Sequence, residues 1–144
     1  MLRTHHCGEI RKEHIGKTIT LCGWVQKSRD LGGLTFLDIR DRYGLSQLTF
    51  NMEEEKALCE MARKLGREDV IKATGEVIER SSKNLELPTG EVEVKVVSLE
   101  ILNSSKTPPF TIENETDGGE ELRMKYRYLD LRRKPVQEKL LLRH

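Results

Sequence analysis

Apolar and polar positions alternate with period two over much of the first hundred residues, a pattern of half-buried strands. Ile19, Leu21 and Val25 mark the inward face of a first strand over 17–28. Gly32-Gly33 turns it into a second strand over 34–40. There Leu37 and Ile39 face the interior, so Phe36 stands on the polar face beside Asp38 and Arg40. Tyr43-Gly44 leads into a third strand over 45–50. The period then lengthens. Asn51 and Glu54 have the spacing of a capping box, Leu58, Met61, Ala62 and Leu65 form a helical stripe, and Gly66 is placed to end it. A fourth strand over 70–80 carries Ile71, Ala73 and Val77, and Pro88-Thr89-Gly90 turns into a fifth over 91–102. Its apolar phase changes from Val92, Val94, Val96 to Val97, Leu99, Ile101, which predicts a bulge near Val96.

Three strands, a helix and two strands is the order of the OB-fold, a mainly β, five-stranded Greek-key barrel with its helix between strands 3 and 4. The expected organisation is a polar lead-in over 1–16, a barrel over 17–102, a linker over 103–120 and a hinge over 121–144. Pro108-Pro109 and Gly118-Gly119 bracket the linker. Pro135 opens a final helix whose apolar face includes Val136, Leu140 and Leu141. That helix has no C-terminal cap, so the chain reads as cut within it.

In such a barrel Phe36 and Gln47 occupy adjacent strands. A Phe on a polar face flanked by Lys27, Arg29 and Arg40 suits stacking of an unpaired base, with cations for the backbone. A Gln amide offers a donor and an acceptor for a base edge. An ordinary surface Phe and a solvated Gln are the competing readings.

Net charge is only +1, so any nucleic-acid signal is local and not global. Residues 121–144 hold eight Lys or Arg against three Asp or Glu, while 113–121 is acidic. Cys7, Cys22 and Cys59 are distant and odd in number, which implies no disulfide framework and points to a reducing cytoplasm. Neither a signal peptide nor a long apolar run is present, which argues against secretion and membrane spanning. His5, His6, Cys7 and His14 match no zinc spacing, and their segment reads as a mobile terminus. No metal is expected there. Asp38 and Asp41 read as ion-paired with Arg40 and Arg42, and no catalytic constellation is recognised. Glu53 to Glu55 read as favourable charge at a helix N-terminus.

The segments LCGWV at 21–25, RDLGGLTFLDIRDRYG at 29–44, TGEVEV at 89–94 and LRMKYRYLDLRRK at 122–134 carry a family resemblance. The chain resembles the N-terminal part of bacterial-type aspartyl-tRNA synthetases, which are class II enzymes. The resemblance implies that 17–102 binds a tRNA anticodon loop. By it, Phe36 stacks on the central uracil and Gln47 hydrogen-bonds it. Arg29 meets the third-letter side or its phosphates, and Asn84 and Glu93 read the first-letter guanine. Lys27 and Arg80 are phosphate candidates, and Ser28 departs from a basic residue found in many relatives. Leu31, beside the third letter, leans toward a discriminating enzyme.

The resemblance also implies ATP and Mg chemistry and a homodimer for a full-length ligase. This fragment is expected to lack catalysis and cofactors, and to be monomeric. A free-standing single-strand binder is the alternative, and a protein-interaction OB module is a third possibility.

Overall fold

The computed structural model describes residues 2–144. Five strands close a barrel in the order β1-β2-β3-β5-β4. They are β1 (Thr18–Asp30), β2 (Leu34–Arg40), β3 (Leu45–Asn51), β4 (Val70–Glu79) and β5 (Val92–Asn103), with helix α1 (Lys56–Arg63) between β3 and β4. All neighbours are antiparallel except β3 and β5, whose parallel pairing at Leu48–Val94 and Thr49–Lys95 closes the barrel. The alternating apolar residues meet inside. Leu21, Leu37, Ile39, Leu48, Phe50, Ile71, Val77 and Val94 are all at or near zero exposure. Each such side chain contributes roughly 1.5–3 kcal/mol of transfer free energy.

Two irregularities shape the barrel. In β1 the register with β2 shifts between Val25 and Lys27. Val25 pairs with inward Ile39, but Lys27 pairs with outward Asp38 and Arg29 with outward Phe36. One extra residue, Gln26, thus moves Lys27 and Arg29 onto the outer face, as a β-bulge does. In β4 and β5 the register slips where Thr74 pairs with Ser98 and Gly75 with Val96. This is the bulge expected near Val96, and Val97 is the residue left over. A Cβ on Gly75 would sit 2.1 Å from the Lys95 carbonyl oxygen, so the strand approach needs a glycine there. Beyond the slip only Leu99 turns inward. Val97 and Ile101, expected inside, are exposed.

The segment before β1 is no mobile tail. Cys7 and Ile10 are fully buried in the core, and a short 3-10 turn over Lys12–His14 follows them. The Cys7 amide donates to Asp41 Oδ2 at 2.9 Å, and Ser46 Oγ donates to the Cys7 carbonyl. Burial, foremost, pushes the Cys7 thiol far above its ordinary value. The histidines serve as packing groups: His6 stacks on Tyr43 with ring centroids 4.5 Å apart, and His5 meets His14 edge-on.

Helix α1 also departs from the expected form. Its N-cap is Glu55, without a side-chain cap bond, and it ends at Arg63, before Gly66. Asn51 instead closes β3 and accepts from the Glu53 amide in a local turn. Glu54 pairs with Lys95, a strand partner, so its charge is used across the sheet. Cys59 and Ala62 are buried while Met61 is exposed. The Asp38 and Asp41 pairings differ too. Asp38 binds Arg29, Asp41 binds Arg3, and Arg40 binds Glu68.

The first compact unit reaches Lys106, and a second covers Thr107–His144. The second holds three short helices, α2 (Glu120–Lys125), α3 (Arg127–Asp130) and α4 (Lys134–Arg143). Its organising group is Arg133. The guanidinium donates to Asp130 Oδ1 and to the carbonyls of Glu113 and Asn114. Pro135 lies in the first turn of α4 as expected, and Leu140 and Leu141 on that helix are exposed.

Candidate nucleic-acid interface

The outer faces of β1, β2, β3 and β5 and the β4–β5 loop enclose a cleft of about 350 Å³. It gathers Arg29, Leu31, Phe36, Gln47, Arg80, Asn84 and Glu93, seven of the eight residues singled out from the sequence. Lys27 is exposed on β1, opposite Asp38, and does not line the cleft.

Strand geometry explains the convergence. Phe36 and Asp38 share the outer face of β2, and Gln47 lies directly across from Asp38. The bulge at Gln26 brings Arg29 opposite Phe36. The parallel closure sets Glu93, one residue before Val94, beside Gln47. Phe36 is half-buried, where free exposure was expected. The Arg29 guanidinium lies 5.9 Å from its ring centroid and shares the outer face with it.

Gln47 is the hub. Its Nε2 donates to Glu93 Oε2 at 2.5 Å, and its Oε1 accepts from Arg29 Nη2 at 2.9 Å. The same Nη2 donates to both Asp38 oxygens, at 2.9 and 3.2 Å. The two partners of Gln47 define which way its amide points, since only an oxygen accepts from Arg29. A primary amide has two N–H donors and two acceptor lone pairs. Gln47 therefore keeps one donor and one acceptor beyond these two bonds, and its orientation is held by its neighbours.

A sequence profile described as OB-fold nucleic acid binding domain, of the tRNA anticodon type, matches residues 19–102. The chain belongs to this family.

Its curated relatives include the aspartate–tRNA ligase of Parabacteroides distasonis, 62% identical over 144 residues. That match covers 100% of this chain and 25% of the relative. The aspartate–tRNA ligase of Porphyromonas gingivalis is 59% identical, with coverage of 100% and 25%. This OB-fold chain spans about a quarter of the length of these relatives. Among solved structures, asparaginyl-tRNA synthetase from Pyrococcus horikoshii complexed with asparaginyl-adenylate matches with a TM-score of 0.72 and 31% identity. The match covers 92% of this chain and 29% of that one.

The electrostatics of the OB-fold cleft are those of charges drawn out of water. Burial raises the Glu93 carboxyl above its ordinary value, against the opposing pull of the Gln47 hydrogen bond and of Arg80. Burial likewise raises Asp38, although Arg29, Arg80 and Lys27 all favour its charged form. Arg80 is lowered by burial, with Asp38 and Glu93 acting the other way. Its Nε donates to the Val92 carbonyl, while Nη2 is buried with no hydrogen-bond partner in the protein. Arg80, a phosphate candidate from the sequence, thus forms part of the cleft wall. An enclosed donor suits an oxygen carried into the cleft better than one passing over its rim.

The loop from Ser81 to Gly90 forms one side. The Asn84 amide donates to the Gly90 carbonyl at 2.9 Å, and Asn84 Oδ1 accepts from the Glu86 amide. A Cβ on Gly90 would meet the Asn84 carbonyl oxygen at 1.6 Å, so this glycine permits the loop's path. Five further residues line the cleft without a binding role expected from the sequence: Asp38, Ser81, Ser82, Lys83 and Leu87. Asp38 was paired with the wrong arginine, and Lys83 sits in a loop with no periodicity to place it. Asp38 could have been found from its position two residues after Phe36 on the same face.

Proposed function

We propose that the cleft receives the anticodon loop of an aspartate tRNA, as the anticodon-reading part of an aspartate–tRNA ligase. The observation that carries this reading is the Phe36–Gln47–Glu93 constellation: an aromatic face beside an oriented amide and a buried carboxylate. Phe36 stacks on the central uracil. Gln47 meets the edge of that base with its remaining donor and acceptor. Glu93 accepts from the N1–H and amino group of the first-letter guanine, and Asn84 assists from the loop. Arg80 supplies a donor to an oxygen at the cleft wall. Arg29 and Lys27 hold the phosphate side, and Leu31 lies beside the third letter, where it disfavours a loop ending in another base.

The longer protein would form aspartyl adenylate from ATP with Mg and transfer the aspartyl group to the tRNA 3′ end. It would act as a cytoplasmic homodimer. The residues described here supply recognition.

Titration of the 144-residue chain with anticodon hairpins at fixed salt tests this, because phosphate contacts alone scale with ionic strength. A GUC loop is expected to bind more tightly than one altered at the central letter. Equal affinity for both, or for an unstructured strand of the same composition, favours a general single-strand binder and overturns the reading.

A further inference from the structure

Arg63, the last residue of α1, lies outside the cleft, yet its guanidinium holds the β1–β2 tip. Its Nε donates to Thr35 Oγ1 at 3.2 Å. Its Nη2 donates to Asp30 Oδ1 at 2.9 Å and to the Gly32 carbonyl. Asp30 Oδ1 also accepts from the Gly32 amide at 3.0 Å, so one carboxylate oxygen joins the tip to the helix.

The tip has little else to define it. The Leu31 amide donates to the Leu34 carbonyl, and the Gly33 carbonyl accepts from the Met52 amide. Gly32 adopts φ +80°, and space is open where a Cβ on Gly32 or Gly33 would stand. Two adjacent glycines without side-chain packing have many conformers of similar energy. Arg29 lies two positions before Leu31, which belongs to the tip, and both line the cleft.

We infer that Arg63 is a positioning residue: it clamps the tip from α1 and so sets the lip of the cleft where Leu31 meets the loop. This rests on the anticodon reading above. The chemistry suits arginine. A planar guanidinium serves a hydroxyl, a carboxylate and a carbonyl at once, whereas an ammonium has no rigid fork to span the three. The clamp gives Arg63 a role beyond the favourable place of a cation at a helix C-terminus.

The test compares wild type, Arg63→Ala and Arg63→Lys by two readouts. The first is amide hydrogen exchange without RNA. In Arg63→Ala the Leu31 and Gly32 amides are expected to exchange about tenfold faster, with the Leu37 and Leu48 amides unchanged. Arg63→Lys should fall between. Unchanged tip exchange overturns the clamp, whatever the RNA result.

The second readout is hairpin binding. The preference for GUC over GUU should narrow by about threefold or more in Arg63→Ala. The preference at the central letter, which belongs to Phe36 and Gln47, should persist. An equal loss for every hairpin would mean general destabilisation, and it overturns the positioning role. A wild type blind to the central letter overturns the anticodon reading instead, and the exchange data still decide whether Arg63 holds the tip.

Discussion

Gln47 donates from its side-chain amide to the Glu93 carboxylate across 2.5 Å, joining β3 to β5 on the floor of the cleft. Here an amide, which keeps its donor protons at any pH of interest, faces a carboxylate acceptor. Gln47→Glu would place two carboxyls at hydrogen-bond distance, and one of them would be forced to keep its proton. The folded pKa of that group then lies above its unfolded value. Its stabilising contribution is complete below the unfolded pKa and is lost as pH rises through the folded one. Urea midpoints of the variant should fall from mildly acidic to neutral pH relative to wild type. A pH-independent difference would show that the two groups do not share a proton.

Glu93 carries a second prediction, on binding. Burial raises its carboxyl above the ordinary range, and guanine needs the charged form as acceptor. Affinity for a GUC hairpin should therefore weaken as pH falls through that raised pKa, and recover above it. Asp38 is raised by the same cause and faces Arg29, so it too can contribute. Glu93→Gln should remove the guanine-specific part of the pH dependence, while Asp38→Asn should leave it. Identical pH profiles in wild type and Glu93→Gln would exclude Glu93 as the reader.

Phe36→Ala should cost about 1–3 kcal/mol of hairpin affinity, the usual worth of one base stacked on an aromatic ring. Gln47→Ala should act differently. It should flatten discrimination at the central letter more than it lowers overall affinity, since base-edge bonds specify and phosphate contacts position. Titration of both variants against GUC and central-letter variants separates the two roles.

Ile10→Ala should destabilise the barrel by about 2–5 kcal/mol, the range for truncating a fully buried aliphatic side chain. The measurement is the urea midpoint at constant slope. A cost below about 0.5 kcal/mol, the level of a surface change, would mean that the segment before β1 does not seal the core.

The strands were legible because their apolar residues keep phase with the barrel interior. Leu37 and Ile39 alone suffice to turn Phe36 outward. The bulge at Gln26 was not legible, because Gln26, Lys27 and Ser28 are all polar and give no phase to lose. Without it, Arg29 would point away from Phe36, so its place beside the ring is a property of the sheet and not of the pattern. Cys7 and Ile10 were missed for another reason. Two small or medium apolar residues among many polar ones produce no periodicity, and only the closed barrel offers them an interior. Arg133 and Asp130 looked like two charges in a basic run, because carbonyl partners twenty residues upstream leave no trace in spacing.

The parallel pairing of β3 with β5 has a consequence in time. Gln47 and Glu93 are separated by more than forty residues, and the floor they share does not exist until β5 has closed against β3. Such a long closure is slow relative to forming the β1–β2–β3 meander. On a ribosome the meander could assemble early, bearing Phe36 and Arg29 but no selective pocket. The pocket proposed to discriminate between RNA letters would form in one late event, after the last strand emerges.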